Sequence, residues 1–247
     1  MVTKAGFLKA FKFWKMFVNG FVCTVSLSAL TVIFGFILAL LIAIMRLSNI
    51  TPFKSLGIDK YGSEKKGFMG SLSKFNPVSF LATCYVEIIR ATPMLVQLFV
   101  VYYIIFPVLP FNIPRFMLFG IIRFERFVPG VVALALNSAA YLSEIIRSGI
   151  QSIDGGQTEA ARSLGLSQWQ TLKLIVLPQA IKNILPAIAN EFVTIIKESS
   201  ITYTIGVQDI MYAVQSVKGS TYSIAEPLLM SAAIYFLLTF PTSKIIA

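Results

Sequence analysis

The sequence contains no histidine and only two cysteines. Cys23 and Cys84 stand in apolar stretches without partner spacing and read as packing residues, so a metal site built from the usual nitrogen and sulfur ligands is not expected. Charge is also scarce: 13% of the 247 residues are charged against 56% apolar, and the mean hydropathy is +0.78. That balance argues against a soluble domain and for a membrane protein. No phosphate-binding loop is present, because residues 57–63 carry the glycine spacing but lack the lysine before serine. Without histidine, a hydrolytic nucleophile would need a Ser-Lys or carboxylate pair, and none stands at recognisable spacing. Nor does the chain show the internal repeat common in secondary transporters. It reads as a non-enzyme that binds no cofactor itself.

What is present is long apolar runs. Residues 16–45 carry no charge, about 30 residues where roughly 20 suffice to cross a bilayer. The run is too long for a signal peptide and is expected to remain in the mature protein. Before it, Lys4, Lys9, Lys12 and Lys15 alternate with Phe7, Leu8, Phe11 and Trp14 at near-helical spacing, the pattern of an amphipathic helix lying in the interface. Five spans are expected, at 17–46, 78–108, 127–146, 178–200 and 222–243, in a single all-α membrane domain covering 1–247. A Gly-, Ser- and Lys-rich surface connection fills 47–77. The formal charge of +10 is scattered among the spans, which fits anionic membrane lipid and partner proteins rather than nucleic acid. The distribution of basic residues leaves the topology open.

Between the third and fourth expected spans, residues 147–177 hold a polar stretch with helical chemistry. Gly155-Gly156 reads as a turn, residues 158–164 place Ala160, Ala161 and Leu164 on one face, and Gly165 suits the left-handed position that ends a helix. Ser167 and Gln170 form a capping-box pattern that opens another helix. The result is a helix-turn-helix on the membrane surface.

Within that stretch, Glu159-Ala160-Ala161, Gly165, Ile175 and Leu177-Pro178 occupy seven fixed positions. They resemble the signature loop of permease subunits in type I ABC importers. Segments 86–103 (with Ala91 where that family usually has glycine), 137–157 and 197–207 resemble further blocks of its polar amino-acid subgroup. The 47–77 loop is longer than the family's. The resemblance implies about five transmembrane helices of the type I permease fold, an N-terminal amphipathic helix and a cytoplasmic coupling helix. It implies a bacterial-type cytoplasmic membrane, with the N-terminus outside and the C-terminus inside. It further implies a partner ATPase dimer carrying ATP and Mg, a second permease copy or paralogue, an extracytoplasmic binding protein and a polar amino-acid substrate. Glu159, Ala160, Ala161, Gly165 and Pro178 match positions of the ATPase-coupling loop.

Candidate pathway residues follow from polarity inside the spans. Glu87 and Arg90 are three apart on one helical face, placed either to neutralise each other or to meet opposite ends of a zwitterion. Thr92-Pro93 should interrupt that helix, and an interrupted helix near mid-membrane suits a substrate site. Gln97, Asn137 and Glu191 fall at similar depth, while Tyr141 and Glu144 lie nearer the coupling loop and suit a gate or brace. Lys197 to Ser200 read as a polar break high in the fourth span. The stripe Phe99, Tyr102, Tyr103 and Phe106 reads as packing or interfacial anchoring.

Overall fold

The structure, a computed structural model, describes residues 3–48, 50–51, 73–110 and 112–246. Most of the expected 47–77 connection, including its glycine pattern at 57–63, lies outside them. The described residues are almost all helical: α1 (Lys4–Phe11), α2 (Trp14–Leu47), α3 (Pro77–Ala91), α4 (Met94–Val108), α5 (Phe124–Gln151), α6 (Gly155–Ser163), α7 (Gln168–Ile205), α8 (Ile210–Thr221) and α9 (Ala225–Ile246). One short antiparallel hairpin, β1 (Met117–Leu118) with β2 (Ile122–Arg123), joins α4 to α5. Four helices (α2, α5, α7 and α9) are each long and apolar enough to cross a membrane. α3 and α4 make a fifth span only as a pair bent by 113°.

α5 is the centre. Of its apolar window 72% is buried, against 33% for α2 and less for α7 and α9. α2 can lie close along it because its buried side carries small residues at helical spacing, Ser28, Thr31, Gly35, Ala39 and Ala43, while Gly20 and Thr24 above them meet the start of α8. A Cβ at Gly35 would sit 3.2 Å from Ser138 Oγ and 3.4 Å from the Ala135 carbonyl oxygen, so the two backbones approach to a distance that only small residues allow. Leu27, Leu98, Phe127, Leu134 and Val207 fill the core toward the hairpin end, and Ala39, Leu142, Ala180 and Ile184 fill it toward α6.

Prolines shape the irregular turns. Pro107 and Pro178 each follow a π-helical turn, Val101–Ile105 and Leu172–Val176. A proline offers no N–H and crowds the carbonyl four residues back, and widening the turn accommodates both. The polar break expected at 197–200 is where α7 tightens into a 3-10 segment, Ser199–Ile205, closed by Gly206 at φ 82°. Phe99, Tyr102 and Phe106 pack on the core, and Tyr103 joins Phe99 and Tyr102 edge-on.

Some boundaries differ from the sequence reading. α5 runs on to Gln151, so the third helix extends past the expected limit of 146. The expected 222 start of the last span falls at Tyr222, which caps the end of a separate helix, α8, and α9 begins only at Ala225. Gly155 and Gly156 are the first residues of α6 rather than a turn, and Asp154 caps them through a 2.7 Å bond from the Gly156 amide.

Candidate translocation site and coupling hairpin

Thr92 and Pro93 end α3 because a residue before proline is pushed out of the α region, and Thr92 is extended at φ −116° and ψ 146°. The break frees carbonyls that the next turn cannot reach. Gln97 takes them up: its Nε2 donates to the Ile89 oxygen at 2.7 Å and to the Thr92 oxygen and hydroxyl at 2.9 Å each. Asn137, 4% exposed and midway along α5, then donates to Gln97 Oε1 at 2.9 Å. Three of the predicted pathway residues, Thr92, Gln97 and Asn137, thus form one connected group. Half-buried Glu191 on α7 makes no hydrogen bond to it, and its electrostatic neighbour is Glu198.

The pairing of Glu87 with Arg90 does not form: no ion pair joins them among the described residues. Arg90 instead lies over the Tyr141 ring, 5.6 Å from its centroid. Both residues line a cleft of about 530 Å³ with Glu144, Ser148 and Asn183. Glu87 and Arg90 are exposed on α3, and Thr92, just past its end, is exposed as well.

Glu144 is the centre of a network whose partners are far apart in sequence. Its two oxygens pair with Arg46, at the end of α2, and with Arg147 one turn on. Ser148 adds a 3.5 Å contact, and Arg147 also donates to Gln151 at 2.6 Å. The Arg46 carbonyl accepts from Ser79 at 3.0 Å, which brings in the start of α3. Asn76 caps α3 and reaches the Ser48 carbonyl at 2.6 Å. These bonds tie the ends of α2, α3 and α5 together beside the α6 hairpin. Arg46 carried no functional reading in the sequence because its partner is 98 positions away.

The hairpin itself is defined by its caps. Gly165 is left-handed at φ +86°, its amide donates to the Arg162 carbonyl at 3.0 Å, and Leu166 donates to Ala161 at 3.2 Å. This double bond pattern ends α6 as a Schellman motif. Ser167 and Gln170 then make both bonds of a capping box, at 3.2 and 2.8 Å. Of the predicted coupling residues, Ala161 is buried, whereas Glu159, Ala160 and Gly165 are exposed. Pro178 stands beyond the π-turn of α7, beside Gln179, which ties the hairpin back by donating to Gln157 at 2.9 Å. Leu164 does not share the buried face; it is 84% exposed, as Trp169 is to 68%. Trp169 carried no reading of its own in the sequence.

Residues 67–246 match the family described as binding-protein-dependent transport system inner membrane component. The arginine transport system permease protein ArtQ of Bacillus subtilis (strain 168) is 44% identical over 167 residues, covering 68% of this chain and 71% of ArtQ. The putative glutamine transport system permease protein GlnP of Rickettsia conorii is 35% identical over 228 residues, 92% of this chain and 88% of GlnP. A crystal structure described as an amino acid ABC transporter with histidines is similar at TM-score 0.79 and 37% identity, over 100% of this chain and 97% of the other. The MetNI methionine ABC transporter in an inward-facing form shares the fold at TM-score 0.64 and 16% identity, over 94% and 95% of the two chains. With a central α5, a broken second span and a capped hairpin between the third and fourth, the chain has the type I importer permease fold and belongs to the family of inner-membrane components of binding-protein-dependent transport systems.

Proposed function

We propose that this permease carries a polar amino acid through a pathway completed by a second permease, either a copy of this chain or a paralogue. The observation that carries the reading is the exposed side of α3. Glu87, Arg90 and Thr92 are uncovered within a span, beside Gln97 and Asn137, and charges at that depth need protein or a water-filled cavity rather than lipid. A second permease across this face would enclose them. The relatives named for arginine and glutamine transport support an amino-acid substrate. Arg90 suits the carboxylate of such a zwitterion, Glu87 or Glu191 its ammonium or a basic side chain, and Asn137 and Gln97 its polar groups. Tyr141 then borders the way toward the coupling end.

On this reading the α6 hairpin docks on a partner ATPase through Glu159, Ala160, Leu164 and Trp169, with Gly165 setting the direction and Pro178 the start of the moving helix. Five spans put the termini on opposite faces, which supports an external N-terminus with the hairpin and the C-terminus cytoplasmic. ATP and Mg belong to the ATPase dimer, and an external binding protein delivers the substrate.

The test uses the purified permease with its ATPase and binding protein in proteoliposomes. Hydrolysis should rise when the binding protein is loaded with a polar amino acid, and labelled substrate should accumulate only with ATP present. The permease alone should hydrolyse none. Robust hydrolysis by the chain alone, or coupled uptake of another solute class with none of polar amino acids, overturns the proposal.

A further inference from the structure

α1 is pinned along α9 rather than loosely laid on the bundle. Glu226, at the start of α9, accepts the Thr3 amide at 3.1 Å through one oxygen and the Ser223 hydroxyl through the other. Gly6 and Ala10 are buried, and a Cβ at Gly6 would collide with the Glu226 carboxylate. The helix can lie this close only because residue 6 has no side chain.

Its other face is left uncovered. Phe7, Leu8 and Phe11 are exposed and border a groove of about 860 Å³ between α1, α2 and α9. Trp14 and Phe21 line it on α2, and Met230 and Leu238 mark its extent on α9. At 1.5 Å per residue these stretches rise about 10 and about 12 Å, most of the ~15 Å hydrocarbon depth of one leaflet. The groove therefore has the length and polarity of a slot for an acyl chain. Its rim is basic: Lys4 lines the groove, and Lys9 and Lys12 line an adjoining cleft that shares Leu8, Phe11 and Trp14 with it. Among the described residues no acidic side chain lines either one.

We infer that this groove is a binding site for an anionic phospholipid, one acyl chain lying between α1, α2 and α9 and the headgroup phosphate meeting Lys4, Lys9 and Lys12. The apolar walls alone would take any lipid. The lysines select, because clustered basic residues at a membrane surface favour anionic headgroups.

The chain provides its own reporter. It has two tryptophans, Trp14 in the groove and Trp169 in the hairpin, so Trp169→Phe leaves a single fluorophore at the site. Full-length Trp169→Phe protein in phosphatidylcholine nanodiscs is titrated with phosphatidylglycerol brominated on its acyl chains and, separately, with equally brominated phosphatidylcholine. Half-maximal quenching should need roughly five- to tenfold less brominated phosphatidylglycerol. Adding Lys4→Gln, Lys9→Gln and Lys12→Gln together should make the two curves coincide. Ala233→Phe, which fills the groove wall, should reduce quenching by both lipids. Equal curves for the starting protein, a preference that survives the triple change, or a Trp14 that neither lipid quenches each overturns the inference; the last would mean that protein covers the groove.

Discussion

Asn137 Nδ2 holds Gln97 Oε1 at 2.9 Å while Gln97 Nε2 closes the broken end of α3 onto Ile89 and Thr92. One side chain therefore serves both the architecture of the second span and the polar group at mid-membrane. A helix broken in the membrane leaves backbone groups without water, and satisfying them locally is what makes the break tolerable. Any substrate that bonds to Gln97 must do so without releasing those carbonyls, so Gln97 is held as a rigid element and Asn137 fixes its orientation.

This dual duty separates two substitutions. Gln97→Ala removes the cap and should lower stability by about 1 kcal/mol, the net worth of an ordinary hydrogen bond to a partly buried carbonyl, together with loss of uptake. Glu191→Gln touches no bond of that group and should leave the melting temperature unchanged while altering which amino acids are carried. Thermal unfolding and an uptake panel on both variants decide it. A Gln97→Ala protein as stable as wild type would show that the cap is dispensable.

Several of these features were legible because they obey local rules. Pro93 forbids helix at Thr92, Gly165 supplies a left-handed end, and Ser167 with Gln170 spells a capping box; each depends on residues within a few positions. The features that escaped are long-range or masked by hydropathy. Arg46 and Glu144 meet across 98 positions, and the small-residue stripe of α2 is lost inside a run that reads as uniformly apolar. α8 has only 12 residues and no strong apolar run, and its N-cap, Asp209, becomes informative only once its burial is known. Glu87 and Arg90 had the spacing of a pair, but the Tyr141 ring on α5 holds Arg90 instead.

The Arg46–Glu144 pair should behave as a buried clamp. The side chains are 8% and 20% exposed, so water screens the pair poorly. Glu144→Gln strands Arg46, and the loss should approach the ~3 kcal/mol lower range for breaking a buried pair. Arg46→Met combined with Glu144→Gln should cost less than the two single changes added together. Melting temperatures of the three variants measure the coupling. Strict additivity would show that the two charges do not stabilise each other.

Asp209 provides a pH signature. It caps α8 through the Tyr212 amide at 2.7 Å, is 1% exposed, and its second oxygen has no hydrogen-bond partner among the described residues. Burial pushes its carboxyl up from 3.8 to about 8. Between those values the folded state keeps a proton that the unfolded chain has lost. This contribution to stability is therefore full below about pH 4, falls as pH rises, and is gone above about 8. Asp209→Asn keeps an oxygen for the cap but cannot ionise. Melting temperatures from pH 5 to 9 should decline less steeply in Asp209→Asn than in wild type, and parallel curves would overturn the assignment.

Gly165 separates direction from bulk. Among the described residues nothing lies within 4 Å of a Cβ placed there, so the penalty is in the backbone, at φ +86°. A β-branched residue in that region costs about 1–2 kcal/mol, enough to favour a different path out of α6. Gly165→Val should insert and assemble its spans normally yet lose ATP-driven uptake, because Glu159, Ala160 and Leu164 would be presented at another angle. Gly165→Asn, which tolerates the left-handed region, should retain most of the uptake. Gly219 serves as the control, since among the described residues nothing lies within 4 Å of a Cβ placed there. Gly219→Ala should leave uptake unchanged. If Gly165→Val transports as well as Gly165→Asn with the ATPase normally bound, the left-handed turn plays no part in coupling.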